Sequence, residues 1–125
     1  MKKMKDLAYQ GDISILRVKE LPSDAIKVTQ KLNSADREAY GYHDEKGLVL
    51  AQGESRNHYH AFRDVDKVEL FEVPANDNKL LFLVVNEPVN LVHEEHDGIE
   101  ITPGIYEIFY QYEYNFEEEY VRVAD

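Results

Sequence analysis

The sequence contains no cysteine. A disulfide framework, a thiolate zinc cluster, an iron–sulfur site and a cysteine nucleophile are all excluded, and a reducing cytoplasm is the simplest expected compartment. Long apolar runs are also missing. The longest, Leu80-Leu81-Phe82-Leu83-Val84-Val85, falls far short of the roughly 20 residues of a membrane-spanning helix, so no membrane partner is expected. Positive charge is scarce, with 14 Lys and Arg against 25 Asp and Glu and a formal net charge of −11. Nucleic acid is not an expected partner, because that affinity comes largely from neutralising phosphates with Lys and Arg. The basic start, Met1 to Lys5, has no apolar stretch behind it of the kind a secretory signal carries, and residues 1–9 read as a flexible tail.

What the chain does have is 125 residues with 43% hydrophobic content, enough for one folded domain spanning 1–125 with its own core. The residue order has the period of strands. Ile13 to Val18 follows the turn signal Gly11-Asp12, and Leu48-Val49-Leu50-Ala51 and His58 to Phe62 come next. Lys67 to Val73 alternates polar with apolar, placing Val68, Leu70 and Glu72 on one face. Ala75-Asn76-Asp77-Asn78 is turn chemistry leading into Leu80–Val85. Val89 to His93, the long run from Ile105 to Tyr114, and Tyr120 to Val123 complete the set, while 31–46 reads as a polar loop. Short strands, frequent turns and no helical period predict an all-β fold, a single compact antiparallel β-sandwich or a small barrel.

Four of the five histidines fall into two groups. In a strand, residues two apart share a face, so His58 and His60 present two imidazoles side by side, a spacing suited to one metal ion. The second group is His93-Glu94-Glu95-His96, where a continuing strand sets His93 with Glu95 and a turn lets His93 and His96 converge. Two such groups without competing thiolates point to a divalent transition metal held by His58, His60, His93 and either His96 or Glu95. Imidazole and carboxylate donors suit zinc, iron, manganese or nickel alike. Gln111 and Glu113, on one face of the last long strand, are candidates to hydrogen-bond the distal nitrogens of metal-bound histidines. His43 reads as an exposed loop residue.

The segment Gly53-x4-His58-x-His60, with Glu69 downstream and Thr102-Pro103-Gly104 after a later histidine, resembles the two cupin motifs. That resemblance implies a metal held by two histidines of the first motif, a glutamate (Glu69, or equally Glu95) and a histidine of the second. Over Gln10 to Asp125, the order Gln10-Gly11-Asp12, Leu50 to Glu54, His58-x-His60, His93 to His96, Pro103 to Tyr106 and Gln111-x-Glu113-Tyr114 is similar to a family of small bacterial and phage-encoded proteins without an assigned function.

Three functional classes stay open on these residues. One is a metal-binding protein acting as a small-molecule hydrolase or oxygenase. Another is a non-catalytic module binding a small ligand such as a nucleotide. The last is a structural or interaction protein of phage or mobile-element origin that self-associates as a homo-oligomer.

Overall fold

The computed structural model describes residues 2–3, 6–32, 40–52, 59–75, 78–94 and 96–110. These form an antiparallel β-sandwich of two six-stranded sheets. The strands are β1 (Lys2–Lys3), β2 (Leu7–Gln10), β3 (Ile13–Val18), β4 (Ile26–Lys27), β5 (Gly41–His43), β6 (Gly47–Gln52), β7 (Tyr59–Phe62), β8 (Val68–Ala75), β9 (Asn78–Val85), β10 (Val89–Val92), β11 (Ile99–Ile101) and β12 (Gly104–Tyr110). One sheet runs β1-β11-β10-β7-β6-β5 and the other β2-β3-β12-β9-β8-β4. Within the first, β1 pairs in parallel against β11, and Lys31 makes a parallel bridge to Tyr42 of β5. No helix among the described residues is long and apolar enough to cross a membrane.

Alternation in the sequence sets the core. In β8, Val68 and Leu70 turn inward and pair with Val85 and Leu83 of β9, all four buried. In β12, Tyr106 and Ile108 do the same between β3 and β9. Burying a Leu or Phe side chain contributes about 1.5–3 kcal/mol, and Leu48, Phe62, Leu70, Leu83 and Leu91 are all wholly enclosed. Glu72, on the inward side near the end of β8, takes the phenolic hydrogen bond of Tyr40 and an ion pair from Lys79 at 3.4 Å. Burial, together with the Glu72 carboxylate, pushes the Tyr40 hydroxyl well above its ordinary pKa.

Both ends of the sandwich are closed by polar contacts. At one end Arg17 stacks 4.9 Å over the Tyr106 ring and donates to Thr102 Oγ1 (2.9 Å) and the Pro103 carbonyl (3.2 Å). That fixes the turn into β12. At the other end the β6–β7 ladder shifts register between Val49 and Ala51, and the Leu50 carbonyl accepts the Tyr110 hydroxyl at 2.6 Å. The shift leaves Ala51 opposite His60.

Two sequence expectations give way here. Residues 7–9, assigned to a tail, are strand, because Ala8 turns inward against Ile15 and the pair closes the edge of the core. Residues 41–43, assigned to the 31–46 loop, form β5, since Gly47 permits a turn at φ +93° that folds them back onto β6. The expected strand 120–123 lies outside the described residues.

Candidate functional site

His60 and His93 meet because of register. β7 and β10 pair Phe62 with Leu91 and Ala61 with Val92, so the next step along the ladder sets His60 against His93. Both side chains point inward, His60 1% and His93 9% exposed, with ring centroids 4.3 Å apart. The chain turns after β10 and brings His96 back, 4.6 Å from the His93 ring and 6.2 Å from that of His60, to which it is nearly parallel. Of the metal-site histidines expected from sequence, these three come together.

The opposite sheet supplies the partners. The turn joining β2 to β3 is Gln10-Gly11-Asp12, and it reaches across the end of the core to the histidines. Gln10, 3% exposed, donates its amide NH2 to two carbonyls, Leu91 at 3.0 Å and Asp97 at 2.9 Å. Carbonyls only accept, so the orientation of this amide is settled and its oxygen faces His60 Nδ1 at 2.9 Å. Nδ1 therefore carries hydrogen. His60 Nε2 in turn lies 3.0 Å from Asp12 Oδ1.

A neutral imidazole protonated at Nδ1 has a bare lone pair at Nε2, and a carboxylate has only lone pairs. Two such atoms do not rest 3.0 Å apart without something positive between them. Burial by itself would raise the Asp12 carboxyl, but the hydrogen bond and charge of His60, a backbone bond and the field of His93 hold it below the usual carboxylate range. In the absence of a metal, a single proton between His60 Nε2 and Asp12 Oδ1 reconciles the two atoms.

Gly11 lets the turn come this close. Its φ of +59° is the left-handed conformation, and an added Cβ would stand 2.8 Å from His96 Nε2 and 3.1 Å from His60 Cε1. Two histidine rings thus pack directly on the turn backbone.

His93 connects the interior cluster with the surface. It contributes to a small pocket of about 70 Å³ whose other walls include Lys46, Tyr59, Arg63 and Glu94. Glu94 accepts the Tyr59 backbone N–H at 2.8 Å and pairs with Lys46 at 3.1 Å. Against the upward push of burial, these two contacts keep its carboxyl below the ordinary value.

The other expected site residues fare differently. His58, Glu95, Gln111 and Glu113 lie outside the described residues, and among the described ones no group of three or more His, Asp or Glu is already arranged to hold a metal ion. Glu69, the cupin-motif glutamate, is not at the site. It faces outward on β8, in the other sheet, paired with Lys27 at 3.2 Å, because strand alternation turns it away from Val68 and Leu70. His43 caps the β5–β6 turn, its Nδ1 accepting the N–H groups of Glu45 and Lys46. Its ring lies 5.5 Å from that of Tyr59, away from the cluster. His60 Nδ1 meets Gln10 Oε1, a residue not expected at the site, while Gln111 and Glu113, the expected hydrogen-bond partners of the histidines, are outside the described residues. Gln10 and Asp12 were legible only as a turn; the signal was a glutamine on the inward phase of a strand otherwise contributing Ala8 to the core.

Neither the curated proteins nor the solved structures contain a match to this chain. A family model described as a domain of unknown function, DUF8820, matches residues 9–111, a span that takes in the Gln10-Gly11-Asp12 turn and all three clustered histidines, and the chain belongs to that family.

Proposed function

We propose that the cluster binds one divalent transition metal, which replaces the proton between His60 Nε2 and Asp12 Oδ1. The observation that supports this reading is the facing of those two acceptor atoms at 3.0 Å, with the other ring nitrogen already committed to Gln10. A histidine whose distal N–H is held by an amide or carboxylate oxygen is the usual form of a metal ligand, and two donors about 3 Å apart fit adjacent positions around an ion bound at about 2.1 Å. His93 and His96 are the nearest further donors, reaching the ion by turning their rings, and His58 and Glu95 remain candidates from their spacing. Zinc, iron, manganese and nickel all suit this donor set.

Such a site keeps coordination positions for water or a ligand, which supports small-molecule chemistry of hydrolytic or oxidative type. A second reading, ligand binding without turnover, draws on the pocket beside His93, where Arg63 stands beside the mutually paired Lys46 and Glu94 and favours a small anion. Both readings make a small molecule the partner, and the net charge of −11 disfavours nucleic acid.

Calorimetric titration of the untagged protein with zinc and with cobalt tests the metal reading. One site per chain is expected, with about one proton released per ion, read from the dependence of the heat on buffer ionisation enthalpy. Asp12→Asn and His60→Ala should each weaken binding at least tenfold. Absence of binding, or binding untouched in both variants, would overturn the proposal.

A further inference from the structure

The outward face of the β2-β3-β12-β9-β8-β4 sheet is apolar nearly from edge to edge. Cross-strand partners share a face, and the register sets Leu7, Leu16, Glu107, Phe82 and Phe71 in one row across five strands. In the adjacent row Tyr9 and Phe109 flank Ser14, with Leu80 beyond on β9. Five of these side chains are open to solvent, Leu7 46%, Tyr9 52%, Leu16 37%, Leu80 41% and Phe109 41%, while Phe82 and Ser14 among them are buried.

Charge is nearly missing from this face, although 31% of the chain is charged. Among the described residues it carries Glu107 in the middle and the Lys27–Glu69 pair at one margin. Depletion of charge with enrichment in Tyr and Phe is the composition of an interface core. The five exposed side chains present roughly 500 Å² of mostly apolar surface, at the upper end of the largest patch a soluble monomer shows. Two such faces in contact would bury roughly 1,000 Å² before any rim is counted, the area at which specific association begins.

The occupant follows from charge. A basic partner would be drawn to the acidic remainder of the surface and gain little on a face with one unpaired carboxylate. A mostly apolar face suits another of its own kind, and this chain carries one. We propose that the protein forms a two-fold dimer in which the outward faces of this sheet pack against each other, with Leu16 and Phe109 near the centre of the contact and Leu7 toward its edge.

Sedimentation velocity of the full chain over about 1 to 100 μM, where specific associations of this size are populated, tests the proposal. The wild-type protein should sediment at twice its chain mass of 14.6 kDa. Phe109→Glu should sediment as a monomer, and Leu7→Glu, whose edge position spares the fold, should shift dissociation at least tenfold toward monomer. Asn90→Glu, exposed on the other sheet, should leave the dimer intact, with circular dichroism reporting retained β structure in each variant. A wild-type chain that stays monomeric throughout, including one whose face is covered by its own residues 111–125, would overturn the proposal. So would a dimer that persists in both Phe109→Glu and Leu7→Glu.

Discussion

His60 and His93 stand opposite each other one step past the last paired residues of the β7–β10 ladder, their rings 4.3 Å apart, in a layer otherwise filled by Phe62 and Leu91. Polar rings at the end of an apolar core are costly unless their nitrogens are satisfied. For His60 the cost is met by the Gln10-Gly11-Asp12 turn of the facing sheet, so that turn carries both stability and the chemistry proposed for the site.

Gln10→Leu keeps the side-chain volume and removes its hydrogen bonds to Leu91, Asp97 and His60. Buried acceptors and a ring N–H are then stranded, at about 1–3 kcal/mol for each group that water does not reach. A loss of about 2–4 kcal/mol in urea unfolding is expected. A change below about 0.5 kcal/mol, the level of an ordinary surface substitution, would mean that the amide is not the element joining the two sheets.

Gly11→Ala forces a Cβ onto a left-handed residue and into the rings of His96 and His60. Destabilisation of about 1–2 kcal/mol is expected from the backbone alone. The imidazole proton resonances of both histidines should also move. Unchanged resonances would show that the turn does not press on the cluster.

Glu107 gives a pH signature. Its place between Leu16 and Phe82 desolvates the carboxyl and raises its pKa above the ordinary 4.5. Between that value and the raised one, the native chain holds a proton that the unfolded chain has released, so this group's contribution to stability falls as pH rises through the window. Glu107→Gln cannot lose a proton. The variant should gain stability relative to wild type as pH goes from 4 to 7, measured by thermal unfolding at each pH. A difference that shrinks over this interval would carry the wrong sign.

Tyr110→Phe removes the hydroxyl that reaches the Leu50 carbonyl where the β6–β7 ladder slips. About 1 kcal/mol of stability should be lost. Amide exchange should quicken at Ala51 and His60, and uniform exchange across β6 and β7 would argue against a local role.

The sandwich was legible because period-two alternation is a direct trace of a sheet with one buried face, as in Val68-x-Leu70 and Tyr106-x-Ile108. Strands of two or three residues, such as β1, β4 and β11, leave no such trace and were not anticipated; their pairing comes from neighbours. The grouping of His60, His93 and His96 was read from spacing, and register shows why it holds. Asp12 and Gln10 were not recognised as site residues, since a contact made across some fifty residues of sequence has no local pattern. Glu69 was offered as an alternative to Glu95 on motif resemblance alone, and the simple parity of its strand turns it outward.

The central claim is that the gap between His60 Nε2 and Asp12 Oδ1 holds a metal ion. Elemental analysis by mass spectrometry tests it most directly, on untagged protein stripped with chelator, reloaded with zinc and dialysed, beside Asp12→Asn treated identically. The account predicts close to one zinc per wild-type chain and a small fraction of that in the variant, with both proteins folded. Metal-free wild-type protein, or equal metal in the two, would contradict it.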